Sequence, residues 1–523
     1  MEKAEDFLKK QEKEISVLHT KLHRAYWDAL ISGKSETYKE YETIAINVKK
    51  FFNNKNNLEK VKEFLKKAAN EIEERQLKLL YDSYLSCQGD FALVTELTEK
   101  ASEVEKKFNT FRAKINGKEY TDNEIREILK TETNSDKLRE IWEASKKQGK
   151  FVEKEILEII RLRNKLAKSL GFRDYYEFSL ETNEQKEEEI EKIFNELVKL
   201  TEEPFKKLKE EMDSILTKKY KTTKLSPWHY GDLFFQTGPL IYEVNLDSYF
   251  SKDILEKAKK YYKSIGLEIK SILERSDLYE KPGKYQHACC MDMDRKGDVR
   301  TIQNLKNNEY WMETLLHELG HGIYSSNHDS SLPFLLRDSA HIFTTEAIAL
   351  LFGRKSRNPD FIKNYCGIDK IEAEKVKENA RKMLRLRELI FARWEQVMFR
   401  FERELYKNPE QDLNKLWWAL VKKYQLIDFS RDEPDWASKI HIVSSPVYYH
   451  NYMLGELLAS QLHAYITRNI TKNPDSDYSG NKKVGEFLIE SIFKPGASYR
   501  WDEMIKLALG ESLTAKYFVE EFA

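Results

Sequence analysis

Two of the chain's 11 histidines, His317 and His321, fall four apart in "LLHELGHGIY" (residues 315–324), with Glu318 between them. On an α-helix, positions i and i+4 lie one above the other, so both imidazoles can reach a single ion. Glu318 is turned by about 100° from His317, which lets its carboxylate serve as a base beside the ion and not as a ligand on it. Two ligands and a base are the start of a site for metal-assisted hydrolysis, which also needs a third protein ligand and an open position. Glu346, in "HIFTTEAIALLFG" 25 residues beyond His321, is the nearest good candidate. His328 and His341 are rivals, and either would make a three-histidine site. His328, in the polar stretch "SSNHDSS", is expected to face solvent.

These residues need rigid elements to hold them. In "NNEYWMETLLHELGHGIYSS", Asn307 and Asn308 are candidate caps, and Trp311, Leu315, Leu316 and Leu319 recur at helical spacing, so the motif sits on a largely buried helix. Two histidines and a glutamate there need partners, because an unpaired buried charge costs several kcal/mol. A metal ion satisfies all three. Elsewhere Leu, Glu and Lys recur three and four apart over 56–86, 185–218, 370–405 and 486–494, with few Gly or Pro, as in long amphipathic helices. Up to about residue 220 little else is expected; between 221 and 306, Pro, Gly, aromatics and His predict loops and a few short strands. The fold class expected is mainly α, one catalytic unit over 1–523, with 1–220 a helical lid and lobe and 221–523 the lobe carrying the site.

Composition narrows the function. Lys plus Arg equals Asp plus Glu, 88 each, so no global field recruits nucleic acid or an anionic membrane. Neither a signal-like N-terminus nor an apolar run of membrane-spanning length is visible, so a cytoplasmic location and no membrane partner are expected. The four cysteines carry no disulfide or CxxC pattern and are assigned no role.

With a helical glutamate after HExxH, the site resembles the glutamate-type zincins. The second half resembles the angiotensin-converting enzyme family of peptidyl-dipeptidases, and more distantly the thimet-type oligopeptidases. The likeness is motif-deep over about 225–465 and lies in "HACCMD", "DVRTI", "HELGH", "TTEAI", "WWALVKKYQ" and "KIHIVSSPVYYHNYMLGELLASQL". In the last of these the family places a lysine two residues before a histidine, then two tyrosines three apart. Here these are Lys439, His441, Tyr449 and Tyr452, with one extra residue between the histidine and the tyrosines. Pro446 is expected to open the helix that carries both tyrosines.

The resemblance implies helical lobes around a deep central channel, with a few short strands near the active site. It implies one zinc ion on His317, His321 and Glu346, Glu318 as base, and His441 and Tyr452 as donors to the developing oxyanion. His287 and the backbone of Ala288 lie beside the peptide; Lys439, Tyr449 and Gln236, from "WHYGDLFFQT", bind the C-terminal carboxylate. Such a ruler releases C-terminal dipeptides from short peptides. Two departures follow from the aligned positions: Val421 and Asn451 replace chloride-binding arginines, so no chloride dependence is expected, and Leu350 replaces the acidic partner of a zinc histidine. The alternatives are an intracellular oligoendopeptidase, a single-residue metallocarboxypeptidase, or a non-catalytic helical peptide-binding protein.

Overall fold

The computed structural model describes residues 2–242 and 245–523. It is mainly α: 69% of it is helical, with two small two-stranded sheets among the described residues. The chain divides into two compact units built from interleaved segments, the first from 1–88, 244–380 and 454–517 and the second from 89–243, 381–453 and 518–523. The change of sequence texture near 221 falls inside the second unit.

The first unit opens on the helix Ala4–Ser32, ended by Gly33 at φ 65°. No side chain fits there, since a Cβ would lie 2.0 Å from the Gly283 carbonyl oxygen. The start of this helix buries Phe7 and Leu8 with Leu58, Val61, Leu77, Leu80, Phe334 and Leu335. Its far end sets Trp27 and Leu30 against Met291, Met293 and Ile302. Met291 and Ile302 belong to an antiparallel hairpin, Cys289–Asp292 with Val299–Ile302, in which Cys289 pairs with Ile302. This hairpin packs on the HExxH helix, Glu309–Ser326, which in turn packs along Ile342–Gly353. Leu315, Leu316, Leu319 and Ile323 are 0% exposed, each worth on the order of 1.5–3 kcal/mol of burial. Gly320 lets the two backbones meet, because a Cβ on it would lie 2.8 Å from the Ala349 Cα.

The second unit is carried by Ser135–Ser169, Glu187–Tyr220 and the part of Lys370–Lys407 from residue 381 on. Asn134 caps the first of these by accepting from the N–H groups of Asp136 and Lys137. Its core is aromatic: Trp142 meets Trp418 and Phe429, and Trp417 meets Trp394 and Phe401. Two expectations are corrected here. The helical first 220 residues include a hairpin, Ala113–Ile115 with Lys118–Tyr120, turned by Asn116 and Gly117 at φ 50° and 80°; "NG" between short β-prone runs is the signal for that turn. Pro446 does not open the tyrosine-bearing helix. That helix begins at His450, and Pro446 lies in a turn because Val447 adopts φ 53°, outside the helical region.

Candidate active site

Asn308 caps the HExxH helix by accepting from the Trp311 N–H at 2.9 Å, and Asn307 reaches the Ile254 N–H instead. His317 and His321 then stand on one face with ring centroids 5.0 Å apart. Both present Nε2 to Glu346, at 3.7 Å and 3.6 Å from its two oxygens. A tetrahedral ion with bonds of about 2.1 Å has edges of about 3.4 Å, so this donor set fits a metal ion with little movement. It is the one such group of His, Cys, Asp or Glu among the described residues. The rival His341 instead caps Ile342–Gly353, its Nδ1 accepting from the Phe343 N–H. His328 does not face solvent: both ring nitrogens are buried, and burial pushes its pKa down to about 4.

The hydroxyl of Thr345 lies 2.8 Å from His321 Nδ1. With a metal ion on Nε2, Nδ1 would carry the proton and donate it to Thr345, which would set both tautomer and ring plane. A bidentate contact from Arg357 to Glu313, extended to Glu309, braces the turn before His317. Gly455, within the helix His450–Ile466, lets Glu346 take its place: a Cβ there would lie 3.1 Å from Glu346 Cγ. The sequence signals for these were weak. A threonine beside a ligand is unremarkable, but a glycine inside a helix, about 1 kcal/mol worse than alanine, implies a packing reason.

Glu318 is 7% exposed. Burial pushes it up to about 7, helped by Glu346 and opposed by His317. Burial also opposes the charge of Glu346, but the two imidazoles hold it down at about 2. The negative charge of Glu318 reaches Cys289 and Cys290, so the strand that follows His287 and Ala288 runs beside the base. His287 itself is exposed, 5.2 Å from the Tyr285 ring.

In the second unit, the structure gathers Gln236, Lys439, His441, Tyr449 and Tyr452 into one cluster. The Lys439 ammonium donates to Gln236 Oε1 at 2.8 Å and lies about 5 Å from the rings of Phe234, Trp394 and Tyr449. The Tyr449 hydroxyl also reaches Gln236 Oε1 and accepts from Trp394 Nε1 at 2.9 Å. The His441 ring is 5.0 Å and the Tyr452 ring 5.3 Å from that of Tyr449. Asp232 anchors Gln236 by accepting from its N–H and those of Phe234 and Thr237. Lys439 is 6% exposed, and burial lowers it to about 8 although Asp232 and Glu395 pull it back up. Burial and the charge of Lys439 lower His441 to about 4.

The HExxH helix and a glutamate from the next helix thus converge on one metal-sized point in a mainly helical protein, the arrangement that metallopeptidases use. The chain matches the family described as angiotensin-converting enzyme over residues 1–229 and 240–523, and it belongs to that family of peptidases. It is also similar to thermostable carboxypeptidase 1 of Pyrococcus furiosus, 24% identical over 260 residues, 42% of this chain and 49% of that protein. The chain thus spans about half the length of that relative. No described helix is long and apolar enough to cross a membrane.

Proposed function

We propose that the protein is a zinc metallopeptidase that releases dipeptides from the C-termini of short peptides. The metal half rests on the His317, His321 and Glu346 donor set, whose two nitrogens and one carboxylate suit zinc, and on a family that is generally zinc-dependent. Held there, zinc supplies a Lewis acid that polarises the scissile carbonyl and acidifies water to near neutrality. Glu318 takes the proton from the attacking water and passes it to the leaving amine; a buried carboxyl with a raised pKa suits both directions of transfer. His441, neutral at pH 7, and Tyr452 donate to the oxyanion, each worth about 10²–10³ in rate. His287 and the backbone of Ala288 line the peptide beside the edge of the Cys289–Asp292 strand.

The observation that carries the specificity is the buried Lys439 ammonium beside Gln236 and Tyr449. One cation with a neutral amide and a phenol recognises a single carboxylate, the free end of a peptide. A second reading, removal of one C-terminal residue, is favoured by the likeness to thermostable carboxypeptidase 1. Product masses from one short peptide, as free acid and as amide, separate the two. Dipeptide released from the acid alone supports the ruler, and a single residue released supports the second reading. Cleavage that ignores amidation indicates an endopeptidase and rules out both.

A further inference from the structure

Between His441 and Tyr449 the backbone leaves helical geometry in a turn that other helices hold. After the short helix His441–Ser444, the backbone turns through Val447 at φ 53°. A β-branched residue in the left-handed region is a genuine outlier that persists only when its surroundings impose it. Two side chains from other helices do so. Arg163, from Ser135–Ser169, donates to the carbonyls of Ile442 and Val443 at 2.8 Å and 2.6 Å, and to the Tyr406 hydroxyl. Glu402, from Lys370–Lys407, accepts from the Val447 N–H at 2.7 Å. Arg163, Glu402 and Val447 are all buried, 7%, 3% and 4% exposed.

We infer that Arg163 and Glu402 form a clasp that holds Val447 in its strained turn and thereby sets the distance from His441 to Tyr449. They are positioning residues: among the described residues their hydrogen bonds go to the backbone of Ile442, Val443 and Val447 and to Tyr406, so both ends of the segment between His441 and Tyr449 hang from them. A cation on the carbonyls that end one short helix and an acid on the N–H ahead of the next fix the turn from both sides. The inference rests on the reading of Lys439 and Tyr449 as the carboxylate pair.

The test uses the full-length, metal-loaded protein and one short peptide as free acid and as amide. Glu402→Leu removes the acceptor, Glu402→Gln keeps one, and Val447→Gly keeps the N–H but frees the backbone. Per metal-loaded molecule, Glu402→Leu is expected to raise KM for the free acid at least tenfold and to lower kcat. Glu402→Gln should stay within twofold of the parent, and Val447→Gly should raise KM at least threefold. A role confined to stability would change the folded fraction and leave KM alone. KM within twofold of the parent in both Glu402→Leu and Val447→Gly overturns the clasp; should Glu402→Leu not fold, Val447→Gly decides alone. Lys439→Met, run in parallel, separates the two levels. If it leaves KM for the free acid unchanged, the carboxylate reading falls and the clasp with it; if it raises KM while the clasp variants do not, the clasp alone falls.

Discussion

His321 is gripped from both sides, by Glu346 facing Nε2 and by Thr345 at Nδ1. Replacing Thr345 with valine keeps the shape and deletes the acceptor, so metal affinity should fall about 10–100-fold in competition with a chelator. Glu318→Ala should keep the metal and lose about 10²–10⁴ in hydrolysis, as expected for a general base; full activity with metal bound would remove Glu318 from the mechanism. Lys439 gives a pH dependence. Its pKa is lowered to about 8 by burial, so the charged form, the one proposed to bind a carboxylate, is dominant below that pH and lost above it. KM for a free-acid peptide should therefore be flat below about pH 8 with respect to this group and rise by about tenfold per pH unit above it; a KM that stays flat through about pH 9 would remove Lys439 from carboxylate binding. HExxH was legible because a spacing of four is a local fact of helices. Thr345 was not, because a hydroxyl takes its meaning from what the fold turns toward it.

At the scale of elements, the sequence told most where the signal was periodic and least where a turn departed from it. The HExxH helix and its Asn308 cap follow from apolar spacing and a side chain that satisfies an end N–H. The hairpin at 113–120 is hard to read in the sequence because its six strand residues lie between long helical stretches, and only the Asn116–Gly117 pair marks it. The start of the helix at His450 is not legible because Pro446 suits either a helix start or a turn, and the groups that bond this turn, Glu402 and Arg163, are far away in sequence. Gly455 shows how one element makes room for another. Gly455→Ala should improve helix propensity by about 1 kcal/mol yet push on Glu346 Cγ at 3.1 Å. A several-fold loss of metal affinity with little change in thermal midpoint is the expected result, and unchanged affinity would show that Glu346 yields freely.

At the scale of the whole molecule, neither compact unit is a continuous run of chain, and this is not readable from the texture of the sequence, which records neighbours along the chain and not contacts in space. The family assignment spans nearly the entire chain, although the motifs that carry the resemblance lie between about 225 and 465. The long N-terminal helices are legible as helices without being specific. Chloride should leave the rate unchanged within twofold. Asn451 is engaged by Gln185 and Val421 is buried, so the positions aligned with chloride-binding arginines offer no cation; a rate that rises severalfold on adding chloride would contradict this. The proposed zinc peptidase would measure its cut from a free C-terminus. The most direct test is the mass of the products from a single short peptide offered as free acid and as amide. A C-terminal dipeptide released from the acid and nothing from the amide is the predicted result; internal cuts that appear equally in both would contradict it.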